Sequence, residues 1–300
     1  MKSRSIVFAF LLVVLSSPIL TAGQTGYFQQ GRLMESLVFD SKVLDWDVKY
    51  SIYLPPDYDS SSRRYPVVYL LHGATDDETG WIQFGEVHLA ADRAIAARQI
   101  PPMIIVMPDA KMTWYINDYQ GKDRYEDMLI TEFIPYIDKT YRTRTKKEYR
   151  GISGLSMGGY GALITAMHHP DLFTACAAFS SGTWTDEEII TMEEKRYEQY
   201  YSKLYGRNLT GKARLSKHYK KYSPLHQGKN LPEETLKSVR WYLDCGDDDF
   251  LFRGNSALHV LLRERKIPHE YRVRDGGHNW IYWRTGITDG LKFIGEDFNR

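Results

Sequence analysis

A chain of 300 residues with 43% hydrophobic and 26% charged side chains has an ordinary globular composition. It is long enough for one large α/β domain with a substantial core, and too apolar for disorder beyond its ends. Thirty-nine Lys and Arg against 38 Asp and Glu leave a formal charge of +1, so no broad field draws it to nucleic acid or an anionic membrane surface. The basic run from Arg142 to Lys147 is accordingly read as a solvated turn.

The amino end carries Lys2 and Arg4, then ten apolar residues over 6–15, then Ser16, Ser17, Pro18 and the small-residue segment Thr21, Ala22, Gly23. This is the order of a cleavable export signal over residues 1–23. A membrane span needs about 20 apolar residues, and the run falls short of that. No cysteine follows it to accept a lipid, so no membrane anchor is expected and residues 24–300 are read as a single domain.

Residues 37–39 form a short apolar run, and 48–54 alternate apolar and polar residues, as a half-exposed antiparallel strand does. Residues 66–71 are almost continuously apolar, the signature of a strand covered on both faces, and open directly onto His72-Gly73. A helix is predicted over 87–98 and a buried strand over 103–107, stopped by Pro108. The span 124–141 sets Met128, Leu129, Phe133, Ile134 and Ile137 at helical spacing, with Pro135 bending it. A strand over 149–155, a helix over 158–168 and a strand over 172–179 follow. The alternation breaks over about 184–232, a stretch full of Tyr, Lys and Glu with helical character around 186–204, read as an insertion over the sheet. Regular order resumes with a strand over 239–245, a helix over 251–266, a strand over 270–273 and a helix over 280–298. Such alternation predicts an α/β fold with a mostly parallel central sheet flanked by helices. Its ligands belong outside the carboxyl ends of the strands. Cys176 and Cys245, the only cysteines, both fall in predicted buried strands. They make no disulfide framework and no usual metal site. If those strands are neighbours a bridge stays open, and two inert buried thiols are the preferred reading.

The most specific signal is Gly154-Leu155-Ser156-Met157-Gly158-Gly159, placed where an apolar strand ends and a small-residue helix begins. A serine there takes a strained turn that projects its hydroxyl from the sheet edge, and the glycines keep neighbouring side chains from colliding. Ser156 is therefore the candidate nucleophile. A serine hydroxyl needs a base within hydrogen-bond reach, and His278 lies late in the chain, in the loop Gly276-Gly277-His278-Asn279-Trp280. His269 is at the wrong end of its strand, His259 is inside a helix, and His168 and His169 sit at a helix end, where they are read as capping carbonyls. The acid belongs at the end of the preceding strand, where Asp247, Asp248 and Asp249 are all candidates by position. The surplus carboxylates are expected to do other work, such as capping the helix at Leu251. Two backbone N–H groups must face the developing oxyanion. Met157 supplies one and Ala74, after His72-Gly73, is assigned the other, with His72 read as holding that loop in shape. Trp81, Trp114, Trp280 and Trp283, with Tyr115, fall on or near loops at the same edge and are the candidate substrate-binding aromatics.

With these residues in place the chain resembles the esterase D-like esterases, a family that includes secreted feruloyl and acetylxylan esterases, S-formylglutathione hydrolases and mycobacterial mycolyltransferases. The resemblance covers nearly all of residues 24–300. Its markers are Leu71-His72-Gly73 with Trp81 beyond, Met107-Pro108-Asp109, Tyr125-Glu126-Asp127, Ile134-Pro135-Tyr136-Ile137, Gly154 to Gly161, Cys245-Gly246 with Asp249, and Gly277-His278-Asn279-Trp280. The resemblance implies the α/β-hydrolase fold, with the helical insertion preceding the acid-bearing strand. It also implies Asp249 as the acid, three residues after the strand-end glycine, and it agrees with Ala74. The 184–232 segment is longer than in the compact xylan-acting members.

Export, the aromatic loops and the resemblance together imply a secreted or periplasmic serine carboxylesterase. Its partner is an ester-bearing carbohydrate or a small ester, with feruloyl or acetyl groups of plant cell-wall xylan as the expected substrates. Neither a metal nor an organic cofactor is expected. The alternatives are a thioesterase of the S-formylglutathione hydrolase kind, an acyltransferase, or a non-catalytic carbohydrate-binding module.

Overall fold

The apolar runs pair into one eight-stranded sheet of order β1-β2-β4-β3-β5-β6-β7-β8, in a computed structural model that describes residues 29–298. The export signal read over residues 1–23 lies outside the described residues. The strands are β1 (Arg32–Asp40), β2 (Asp47–Leu54), β3 (Val67–Leu71), β4 (Ile104–Pro108), β5 (Arg150–Leu155), β6 (Ala175–Phe179), β7 (Arg240–Asp244) and β8 (His269–Arg272). β1 with β2 and β2 with β4 are antiparallel, and every other neighbouring pair is parallel. Parallel neighbours require crossover connections, and the longest helices are α1 (Val87–Ala96), α2 (Met157–His168), α3 (Phe252–Glu264) and α4 (Trp280–Phe298).

The pleat divides the core. Val67, Tyr69 and Leu71 of β3 face the layer that holds α2 and α3, while Val68 and Leu70 face the layer of α1 and α4. Successive side chains of a strand point to opposite faces, so both faces are filled and the central strands read as continuous apolar runs. The half-exposed character expected of 48–54 holds only for its first residues. From Tyr50 to Leu54 β2 is buried throughout, and the Tyr53 hydroxyl donates to Asp92 of α1 at 2.7 Å. The cause is position, since β1 covers its outer edge and helices lie on both faces.

The helical run over 124–141 is broken into Tyr125–Met128, a π-helical turn Leu129–Phe133, and Ile134–Thr140. Pro135 has no N–H to donate to the fourth carbonyl back. The chain widens there, and the Ile134 N–H bonds to Leu129 O instead. Cys176 stands opposite Trp241 in the β6–β7 register, whereas Cys245 follows Asp244, the partner of Phe179. The two thiols thus lie at different levels of neighbouring strands. Both are free and buried, and burial pushes both thiols up.

The 184–232 segment folds into short helices, beginning with Asp186–Thr191, whose cap Thr185 forms a reciprocal capping box with Glu188. Its tyrosines make an interior rather than a solvated face. Tyr205 donates to the Tyr160 hydroxyl of α2 at 2.6 Å, and Tyr160 donates to Tyr222 O at 2.6 Å. Buried Glu126 ties this segment down. Its Oε1 meets His168 Nδ1 at 2.6 Å and His169 Nε2 at 3.2 Å, and its Oε2 accepts from the Tyr222 hydroxyl at 2.9 Å. His168 also donates from Nε2 to Lys221 O at 3.0 Å. The two histidines therefore clamp Glu126 and the insertion instead of capping the carbonyls of their own helix. Burial raises the Glu126 carboxyl, but the hydrogen bonds from His168 and His169 outweigh it and hold the group well below the usual carboxylate range.

A carboxyl whose folded pKa is depressed contributes stability that is complete above its unfolded pKa and is lost as pH falls toward its folded one. Glu126→Gln is therefore expected to cost about 1–3 kcal/mol near neutral pH, with a difference from wild type that shrinks below about pH 4. Urea midpoints measured across that range check it. A difference that stays constant with pH would remove Glu126 from the acid response.

Candidate active site

Ser156 joins β5 to α2 with φ 53° and ψ −116°, a region that side chains rarely enter and that persists only where surrounding structure holds it. Here the backbone is pinned by Ser156 N–H to Phe179 O at 2.9 Å and by Gly182 N–H to Ser156 O at 2.8 Å. The flanking glycines answer a shortage of space. A Cβ on Gly154 would lie 2.5 Å from the Gly158 backbone, and one on Gly158 would lie 2.3 Å from Leu71 O.

The expected chain of three groups assembles at this edge. His278 Nε2 lies 2.9 Å from Ser156 Oγ, and His278 Nδ1 lies 2.9 Å and 3.1 Å from the two Asp249 oxygens. The imidazole is held between the Phe250 ring at 4.6 Å and the edge of Trp283 at 4.8 Å. Asp249 is buried. Burial raises its carboxyl, but the hydrogen bond and charge of His278, with hydrogen bonds from Ser180 and the Leu251 N–H, bring it below its ordinary value. Such an arrangement can move a proton from hydroxyl to imidazole while a carboxylate steadies the imidazolium.

The three adjacent aspartates are separated by burial. Asp249 faces inward, while Asp247 and Asp248 are exposed. Asp247 Oδ1 accepts from the N–H of Gly276 at 3.0 Å, which ties the acid loop to the histidine loop at a point where Gly276 has φ 131°. The helix cap expected of a surplus aspartate is not made: no side chain caps α3 at Leu251, and the Leu251 N–H is taken by Asp249 Oδ1 at 2.9 Å in a tight turn ahead of the helix. Asp247, Asp248 and Asp275 bring carboxylate oxygens within 4.8 Å of one another at the surface, and the clasp on Gly276 accounts for Asp247. Farther back, the buried carboxylate of Asp244 takes both Arg274 Nε and Nη2 at 3.1 Å and the Tyr282 hydroxyl at 2.5 Å. This pair fixes the end of β7 to the segment that delivers His278.

On the other side of Ser156 comes the loop after β3. A Cβ on Gly73 would stand 3.6 Å from Ser156 Cβ, so this loop runs beside the hydroxyl. His72 holds it. The Ala110 N–H donates to His72 Nε2 at 2.9 Å, which leaves Nδ1–H to donate to Gly73 O at 2.8 Å. This is the loop-shaping role read from the sequence. Among the described residues the Ala74 N–H meets no protein acceptor. Met157 opens α2, and the first N–H of a helix has no intrahelical acceptor.

These groups border a cleft of about 510 Å³ lined by Ala74, Ser156, His278 and several aromatics. Trp114, Trp280 and Trp283 line it as expected. Trp81 does not. It is fully buried and donates Nε1–H to Leu71 O at 2.9 Å, bracing the end of β3 beneath Trp280, whose ring crosses it edge-on at 5.2 Å. Tyr115 is likewise interior, with its hydroxyl on His72 O at 3.1 Å. The sequence reading missed Trp184, Arg196, Tyr200 and Tyr201 of the insertion, together with Phe250, all of which line the cleft. Their only sequence signal was the density of aromatic residues there. No helix among the described residues is long and apolar enough to cross a membrane.

The strand order, the strained serine between β5 and α2, and the acid and histidine after β7 and β8 define an α/β-hydrolase. Residues 41–294 match the model of the family described as "Putative esterase", and the chain belongs to that family. It is 35% identical over 158 residues to an endo-1,4-beta-xylanase/feruloyl esterase of Xylanibacter ruminicola, covering 49% of this chain and only 21% of that longer protein. It is 26% identical to an acetyl esterase of Caldicellulosiruptor saccharolyticus, covering 86% of this chain and 96% of the relative. A solved ferulic acid esterase superposes with a TM-score of 0.77 at 31% identity, covering 90% of this chain and all of that one.

Proposed function

We propose that this protein is an exported serine carboxylesterase that removes feruloyl or acetyl groups from plant cell-wall xylan or its oligosaccharides through an acyl-enzyme. The observation that carries the reading is the hydrogen-bonded chain from Ser156 through His278 to Asp249 at the floor of an aromatic-walled cleft. Ser156 Oγ attacks the ester carbonyl carbon while His278 Nε2 takes its proton. The carbonyl oxygen becomes an oxyanion that accepts from the Ala74 and Met157 N–H groups, each donor worth about 3 kcal/mol in such sites. Collapse breaks the bond to the alcohol oxygen, which leaves with the proton from Nε2. Water, deprotonated by the same nitrogen, then attacks the acyl carbon; the bond to Ser156 Oγ breaks, Nε2 returns the proton to that oxygen, and the carboxylic acid is released. Similarity to the ferulic acid esterase and the acetyl esterase supports the two acyl groups named. The charge and apolar pattern of residues 1–23 supports export.

Methyl ferulate, acetylated xylan and a plain butyrate ester, assayed side by side, test the reading. Turnover of either of the first two, with kcat/KM at least about tenfold above the butyrate, is expected from a cleft that grips the acyl group or the saccharide. Preference for the butyrate would count against the cell-wall substrate, and no turnover of any of the three would sink the esterase.

A further inference from the structure

The insertion places a cation in the cleft. Arg196 lies on the short helix Glu194–Tyr200 and lines the same cavity as Ser156 and His278. Its guanidinium carbon sits 4.7 Å from the centre of the Trp184 ring and 5.7 Å from that of Phe250. Those two rings lie 6.3 Å apart, tilted by 30°. This aromatic support fixes a side chain that would otherwise sweep through solvent. Among the described residues, Arg196 has no carboxylate within ion-pair distance and no hydrogen-bond acceptor, so its N–H donors remain unspent. The other charged side chain of the lining, Asp76, stands on the loop after β3 and makes no ion pair with Arg196.

The chemistry then says which half of an ester meets Arg196. His278 Nε2 returns its proton to the leaving oxygen, so the alcohol must depart past the imidazole. The Phe250 ring lies 4.6 Å from the imidazole and 5.7 Å from the Arg196 guanidinium carbon, so one ring links the histidine past which the alcohol leaves to the cation. We infer that Arg196 is a specificity-determining residue that binds a carboxylate carried by the alcohol half of the ester, as on an acidic, uronic-acid-type saccharide. A guanidinium presents two parallel N–H donors to a carboxylate, a match that neutral sugars do not offer. This assignment rests on the esterase reading given above.

The test compares kcat/KM for two ferulates that differ only in the alcohol, the glycolic acid ester and the glycolamide ester, with methyl ferulate as reference and the corresponding acetates run in parallel. Wild type is expected to favour the carboxylate over the amide about tenfold at low salt, with the ratio falling as salt is added. Arg196→Gln should bring the ratio close to one, and Arg196→Lys should keep part of it. Arg196 is exposed, so these substitutions leave the core intact, and circular dichroism verifies it. A wild-type ratio near one, or a ratio that survives Arg196→Gln, overturns the assignment while leaving the esterase standing. Failure of every ester, methyl ferulate included, overturns both.

Discussion

Replacing Ser156 with alanine is expected to lower kcat by on the order of 10⁶ while the protein stays folded. The expected loss is large because in the proposed reaction the hydroxyl oxygen forms the covalent intermediate, and the remaining groups would only bind and polarise the carbonyl. The fold survives because the unusual backbone at this position is held by main-chain bonds to Phe179 and Gly182, and alanine takes that conformation no less readily than serine. An active-site titration with a chromogenic ester, beside a urea unfolding curve, measures both halves. A variant that still turns over ester at an appreciable fraction of the wild-type rate would mean that another group attacks the carbonyl.

The second large effect separates two neighbouring aspartates. Asp249→Asn should cost on the order of 10⁴ in turnover, because an amide facing Nδ1 no longer holds the imidazole tautomer that leaves Nε2 free to accept the serine proton. It also withdraws the negative charge that favours the imidazolium. Asp247→Asn should cost little, because its amide oxygen still accepts from the Gly276 N–H, which is what Asp247 does in the structure. Initial rates for both variants, taken with the same ester, decide the matter. Exchanged outcomes would transfer the acid role to Asp247 and would contradict the burial of Asp249.

Much of this site is legible along the chain because its strongest cues are local. A strand that ends on Gly154, a serine and a small-residue helix constrain one another within a few residues. A histidine after paired glycines at the close of the last strand is almost as self-contained. The parallel sheet follows from the alternation of apolar runs and helical periods, and each strand was found within a few residues of its expected place. The exception in character was β2, whose alternation described only its first residues, because coverage by distant helices is not written in the strand.

What the sequence determined by itself is the fold class and the pairing of Ser156 with His278, since both depend on backbone patterns that recur over short spans. The choice of Asp249 over its neighbours came through family resemblance, and in the structure it is a matter of which carboxylate is buried against an imidazole 29 residues away in sequence. Packing in three dimensions makes Trp81 an internal brace for β3 and sets Trp184, Arg196 and Phe250 as a wall of the cleft. The physical reason is common to all of these. Where a loop side chain points is fixed by packing against segments remote in sequence, and composition records that an aromatic or a cation is present without recording what it faces.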